Sequence, residues 1–247
     1  MKAFCIRRKA FFIFDKILIM GGKGKLQKWA EMKTFNNVVE PTTAEVFRKD
    51  HPLKGKWRTQ IFKNDNPIVL ELGCGKGEYT VGMADHFPNK NFIGVDIKGN
   101  RIWRGAKTAY ENKMNNVYFI RTQIDHIVSF FDKDEVDEIW ITFPDPQPKD
   151  RLERKRITSP MFIDRYKTFL KPDGIIHLKT DHEGFFQYTL DEVKRCDFKL
   201  LESTFDLYGE AIEKLDPKTQ EILSIKTFYE TLWAAKGHSI HYLKFQF

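Results

Sequence analysis

Ile68-Val-Leu-Glu-Leu-Gly-Cys-Gly-Lys-Gly77 decides the fold. An apolar run interrupted only by Glu71 leads into Gly73, Gly75 and Gly77, and a helix-like segment, Glu78–His86, follows. Five residues of this character are the length of a buried strand, so the glycines fall in a tight strand-to-helix turn. Glycine there permits unusual φ and lets backbone approach a bound ligand closely. A dinucleotide fingerprint wants G-x-G-x-x-G, and position 78 is Glu, so a pyrophosphate cradle fits poorly.

Outward from this turn, short apolar runs alternate with helix-like segments, the pattern of βα units in a mostly parallel sheet. The predicted strands are Ile68–Leu72, Asn91–Asp96, Val117–Arg121, Glu138–Phe143 and Gly174–Thr180. Helices are expected at Glu78–His86, Asn100–Asn112, Pro160–Leu170 and Asp181–Arg195, and Lys171-Pro-Asp-Gly174 reads as a turn. After Phe198 the segments look strand-like: Phe198–Asp206, Phe228–Ala235 and Ser239–Phe247, with Lys236-Gly-His238 turning a terminal antiparallel hairpin. Residues 31–66 read as an irregular lead-in, and residues 35–247 as a single domain.

The chain's 247 residues, 41% of them hydrophobic, suffice for a proper core. Its net charge of +7 is concentrated at one end. Residues 1–30 hold Lys2, Arg7, Arg8, Lys9, Lys16, Lys23, Lys25 and Lys28 against Asp15 alone, leaving 33 basic and 33 acidic residues elsewhere. A basic arm, residues 1–34, on a neutral domain suits a polyanion, because neutralising phosphates releases counterions whatever the base sequence. Arg7–Met20 has a charged start and an apolar stretch, but Asp15 and Lys16 interrupt it and no cleavage site follows, so neither signal peptide nor anchor is expected. Met20 ahead of GGKGKLQKW offers an alternative natural start. Cys5, Cys74 and Cys196 form no disulfide framework and no paired metal motif, which favours a reducing, cytoplasmic compartment. The seven histidines make no HxxxH pair, and no metal is expected.

Two strand ends carry acids. Asp96 closes the run after the glycine turn, where a carboxylate accepts hydrogen bonds from both hydroxyls of a ribose. Turn and acid together point to a nucleotide-like cofactor. Trp140-Ile-Thr-Phe-Pro-Asp-Pro-Gln-Pro-Lys149 then places Asp145 between two prolines, which fix φ and bias Phe143 and Asp145 toward extended backbone. On this stretch alone a strand-terminating turn is an equal reading. Lys149–Arg156, with five basic and two acidic residues, is suited to gripping phosphates beside that edge.

The loop spacing resembles the ExGxGxG turn of class I S-adenosylmethionine-dependent methyltransferases, in which the glycines face an amino-acid moiety and ribose. Phe143-Pro-Asp-Pro-x-x-Lys149 behind such a loop is similar to the bacterial tRNA (guanine-N7-)-methyltransferase family, which modifies a guanine in the tRNA variable loop. His177-Leu-Lys-Thr-Asp181 and Thr227-Phe-Tyr-Glu230 match the family's TD pair and TxxE signature. The resemblance spans roughly residues 35–245. It implies an α/β, Rossmann-like fold with a mostly parallel seven-stranded sheet and a C-terminal antiparallel hairpin. By motif, Glu71, Gly73, Asp96, Gln123 and Asp145 would line S-adenosylmethionine, while Lys149, Asp181, Thr227, Phe228, Tyr229 and Glu230 would meet the tRNA. Asp145 would be the catalytic acid. No membrane and no protein partner are implied.

The family often has Asp where this chain has Gln123, whose amide can still accept from adenine's amino group and donate to a ring nitrogen. It commonly has Trp where this chain has Gln147, so a stacking role there is lost. The chemistry itself needs no base, because guanine N7 carries a lone pair and positive charge grows on the purine. A carboxylate bonded to N1–H and the 2-amino group orients the base and stabilises that charge. Two competing readings are a class I methyltransferase for another RNA or a small molecule, and a non-catalytic RNA-binding protein of the same fold.

Overall fold

A computed structural model describes residues 24–215, 217–225, 230 and 239–247. Eight strands form one sheet: β1 (Val38–Val39), β2 (Ile68–Leu72), β3 (Asn91–Asp96), β4 (Val117–Arg121), β5 (Val136–Thr142), β6 (Leu170–Thr180), β7 (Lys199–Thr204) and β8 (His241–Gln246). Their order is β1-β4-β3-β2-β5-β6-β8-β7. The order reverses at β2, which lies between β3 and β5, and both pairings are parallel. Open α/β sheets bind ligands at such a switch point, outside the carboxyl ends of the strands. Of these eight strands, only β8 runs against its neighbours, β6 and β7.

The central strands are buried on both faces, and their side chains alternate between two cores. Ile68, Leu70 and Leu72 of β2, Ile93 and Val95 of β3, and Ile139 and Ile141 of β5 enter one core. Val69, Phe92 and Trp140, at intervening positions, enter the other. Helices α3 (Glu78–His86), α4 (Gly99–Glu111), α5 (Pro160–Tyr166) and α6 (Glu183–Arg195) follow the expected alternation, while residues 24–32 and Thr43–Val46 add α1 and α2 ahead of the central sheet and the short α7 (Pro217–Leu223) lies where no helix was expected. Pro160 begins α5 behind Ser159, a position where its missing N–H removes no helical bond. No helix among the described residues is long and apolar enough to cross a membrane.

Several local expectations are corrected. The sheet has eight strands because two-residue β1 pairs with β4 in the lead-in segment, which also forms α2 and a helical turn at Trp57–Phe62. Lys171–Gly174 does not separate two elements: it bulges within β6, whose register against β5 jumps from Leu170 to Ile175 while the strand continues. The antiparallel pair β7·β8 joins strands separated by α7 and two helical turns, Leu207–Ala211 and Ile212–Lys214. The expected strand Phe228–Ala235 and the turn Lys236–His238 lie outside the described residues, except for Glu230, which is helical. Residues 24–32, counted in the basic arm, are helical; Met32 is buried in the second core and Trp29 packs against it.

Candidate active site

The glycine turn is built by three left-handed residues: Gly73 at φ +79°, Gly75 at +56° and Gly77 at +69°. Backbone N–H groups of Gly73 and Cys74 donate to the Val95 carbonyl at 2.8 and 3.0 Å, tying the turn to the end of β3. At Gly77 the lack of a side chain is obligatory, since a Cβ would sit 2.6 Å from the Phe119 ring. Gly73 differs, for its Cβ position meets nothing within 4 Å and faces open space. Burial raises the Cys74 thiol well above its ordinary range, as expected of a packing residue rather than a nucleophile.

Asp96 is held from two sides. Its Oδ2 accepts from Gly75 N at 2.9 Å and its Oδ1 from Lys98 N at 2.7 Å, which fixes the carboxylate plane. Each oxygen retains a lone pair for an incoming hydroxyl. Gln123 follows β4 and begins the helical turn Ile124–Ser129, with its carbonyl accepting from His126 N at 2.9 Å. Its side chain is exposed, as is Ile97, which presents an apolar surface beside Asp96.

At the end of β5, Phe143 N donates to the Lys179 carbonyl at 2.8 Å, extending the ladder by one residue. There the expected extended backbone fails: Phe143 adopts φ +48°. The turn into Pro144 must reverse the chain immediately after the last sheet bond, and a left-handed residue does so at a cost of about 1–3 kcal/mol. Asp145 stands exposed beyond it, its Oδ1 accepting from Gln147 N at 3.3 Å. Gln147 is also left-handed, at φ +46°, and its carbonyl accepts from Arg156 Nε at 3.2 Å. Arg156 stacks its guanidinium 4.3 Å from the Tyr188 ring, and Tyr188 bonds to Glu153. A residue from the basic cluster thus braces the proline-rich turn against α6.

These elements enclose one cleft of about 370 Å³, within the range of small-molecule sites. Gly73, Asp96 and Gln123 line one part of it and Phe143, Asp145 and Gln147 another, so the acids after β3 and β5 share a single cavity. Arg101, Lys155, Ile157 and Phe162 also line it. Lys155 belongs to the basic cluster read as gripping phosphates beside this edge, whereas Arg101 of α4, Ile157 and Phe162 carry no local motif that marks them.

Other candidates fall elsewhere. Glu71 is 1% exposed and does not line the cleft. Its Oε1 accepts from Thr142 Oγ1 at 2.6 Å and its Oε2 from Thr80 Oγ1, so it joins β2, β5 and α3 beneath the turn. Burial raises its carboxyl to about 7, with the two hydroxyl donors opposing the rise. Lys149 is exposed at the start of the helical turn Asp150–Lys155, and half-buried Asp181 follows β6 at the same sheet edge as Asp145. Glu230 is fully buried against Lys179. Thr227, Phe228 and Tyr229 lie outside the described residues.

The cleft suits a nucleoside carrying an amino-acid tail: an oriented acid for ribose, an exposed aliphatic residue beside it, and a glycine with open space above. Comparisons agree. Residues 65–243 match a family described as putative methyltransferase. A tRNA (guanine-N(7)-)-methyltransferase of Christiangramia forsetii is 49% identical over 92% of this chain and 99% of its own length. The enzyme of that name from Bacteroides thetaiotaomicron is 48% identical over 91% and 86% of the two chains, and that from Clostridium acetobutylicum 40% identical over 77% and 85%. Among solved structures, the 16S rRNA methyltransferase KamB superposes with a TM-score of 0.58 at 14% identity, covering 81% of this chain and 97% of that one. That likeness speaks to the fold alone.

Proposed function

The chain belongs to the tRNA (guanine-N(7)-)-methyltransferase family, and on that premise we propose that its cleft aligns S-adenosylmethionine with N7 of a guanine in the tRNA variable loop. The observation that carries this reading is the shared cavity, which sets Asp96 and the glycine turn within one enclosure with Asp145. Bound there, S-adenosylmethionine supplies an electrophilic methyl group on a sulfonium.

Asp96 would receive the ribose hydroxyls, with Ile97 packing against adenine and Gln123 reading its edge. Gly73 leaves room for the ligand to pass close to the backbone. On the substrate side, Asp145 would accept from N1–H and the 2-amino group of guanine, orienting N7 toward the methyl carbon. As N7 formed its new bond, the C–S bond would break and positive charge would appear on the purine. A carboxylate already in place stabilises that charge without reorganisation. No proton leaves N7, so Asp145 works as an electrostatic and orienting group. Asp181, at the same edge, would assist it, while Lys149 and Lys155 would meet phosphates near the reacting nucleotide. With tRNA as the proposed substrate, we place its work in the cytoplasm.

The test is incubation with isotopically labelled S-adenosylmethionine and tRNA from cells lacking the modification, followed by nucleoside analysis. Label in 7-methylguanosine is expected. Label in another nucleoside, or none, would refute the assignment.

A further inference from the structure

We propose that Lys179 is a positioning residue for methyl transfer, fastening Glu230 and the Asp145 turn to one point on the sheet edge; the proposal rests on the functional reading above. Lysine is almost never fully buried without a partner. Lys179 and Glu230 are both completely enclosed, with 2.9 Å between Nζ and Oε1. The ammonium also donates to Tyr208 Oη and to the Leu223 carbonyl, each at 2.9 Å. A carboxylate, a hydroxyl and a carbonyl thus face the ammonium. Tyr208 in turn hydrogen-bonds to Glu230, linking the three side chains.

The same residue holds the other side of the site through its backbone. Its carbonyl accepts from Phe143 N at 2.8 Å, the last sheet bond before the chain turns to Asp145. One residue of β6 therefore grips α7 and Glu230 with its side chain and the proline-rich turn with its main chain. A buried ion pair is weak as a source of stability, since apolar replacements of similar volume often match it. It is strong as a fixed register point. Alignment in methyl transfer is steep in distance, and displacement of about 1 Å can reduce rate about a hundredfold. This placement gives Glu230 a counter-ion within the fold.

The test uses Lys179→Met, Glu230→Gln and the double variant in the full chain. Thermal unfolding, cofactor affinity by calorimetry, tRNA affinity and single-turnover methylation at saturating tRNA are measured for each. All three variants are expected to lose at least about tenfold in single-turnover rate, with both affinities within about threefold of wild type. The two single losses should not add in the double variant, because each removes the same pair. A Lys179→Met enzyme with wild-type rate beside a slow Glu230→Gln enzyme would put Glu230 on the substrate and overturn the proposal. Where a single variant fails to fold, the double variant decides, since it leaves neither charge unpaired. A double variant methylating within about threefold of wild type, or failing to fold, would make the pair purely structural. Inactive wild-type protein would instead refute the functional reading, so the two failures are distinct.

Discussion

Glu71→Gln should stabilise the protein near neutral pH and above, by an amount that shrinks in mild acid. Glu71 lies beneath the glycine turn at 1% exposure, and its carboxyl is raised from 4.5 to about 7 by burial, against the lowering effect of Thr142 and Thr80. In the unfolded chain the same group titrates near its ordinary value. Between about pH 4.5 and about pH 7 the folded protein therefore holds a proton that the unfolded chain has released. This group's contribution then falls as pH rises through that window, and the loss is complete above about 7. At 1.36 kcal/mol per pH unit, the full window amounts to about 3 kcal/mol. Glutamine removes the titration while keeping an acceptor for one threonine hydroxyl and an amide donor for the other. Urea unfolding of both proteins between about pH 5 and about pH 8 should show the variant gaining about 2–3 kcal/mol on wild type across the range. A difference flat in pH, or one that grows toward acid, would refute the burial argument. Cofactor affinity should change far less in this variant than in Asp96→Ala, because Glu71 faces Thr80 and Thr142 rather than the cleft.

Asp96→Ala removes the acceptor of Gly75 N and Lys98 N that is proposed to receive the ribose, and calorimetry should show S-adenosylmethionine binding weakened by about 1.5–3 kcal/mol. Affinity close to wild type would remove Asp96 from the site. Asp145→Ala should lose turnover while keeping most tRNA affinity, since phosphate contacts supply the larger share of binding. Comparable losses in filter binding and rate would count against an orienting role. Gly77→Ala forces a Cβ to 2.6 Å from the Phe119 ring at φ +69° and should lower stability by about 2–4 kcal/mol in thermal unfolding; a loss below about 1 kcal/mol would mean the turn relaxes. Truncation before residue 24 removes six basic residues while keeping Trp29 and Met32 on the fold, and should flatten the salt dependence of tRNA binding by about 0.9 for each phosphate the arm neutralises. An unchanged slope would make the arm a passive tail.

What could be read in advance follows the physics of local and distant signals. The strand-turn-helix at Ile68–His86 and the acid at Asp96 are local patterns, and together they specify the switch point. The apolar run from Trp140 to Phe143 likewise announces a buried strand and an acid beyond it. Features set by contacts remote in sequence were not legible. Phe143 takes φ +48° where its N–H bonds to the Lys179 carbonyl, against what the following proline alone suggests. Lys155 and Phe162 reach the cleft only because the chain after Lys149 folds back over it. Glu230, read as meeting the tRNA, has a buried partner on β6 that no local pattern announces. A lysine between Leu178 and Thr180 in an apolar strand was the one available hint of that partner.

The charged groups at this sheet edge divide by solvent exposure, and the division is consistent with their tasks. Asp145 stands in solvent and lines the cleft, where the proposed role has it exchange water for a guanine edge. Glu71, Lys179 and Glu230 lie within the fold, where an unsatisfied charge is costly and each is accordingly met by donors or a counter-ion. Desolvation makes such groups poor sources of stability, since removing a buried pair altogether often leaves a protein as stable or more so by about 1–4 kcal/mol. It also makes their geometry rigid, because any shift that lengthens a bond in low dielectric is penalised steeply. Methyl transfer asks for that rigidity more than for acid–base power: N7 needs no deprotonation, and alignment supplies a large share of what a protein can remove from the barrier. Buried ionic contacts under an exposed acid are therefore what the reaction calls for, with the fold's stability supplied by the two apolar cores flanking β2, β3 and β5.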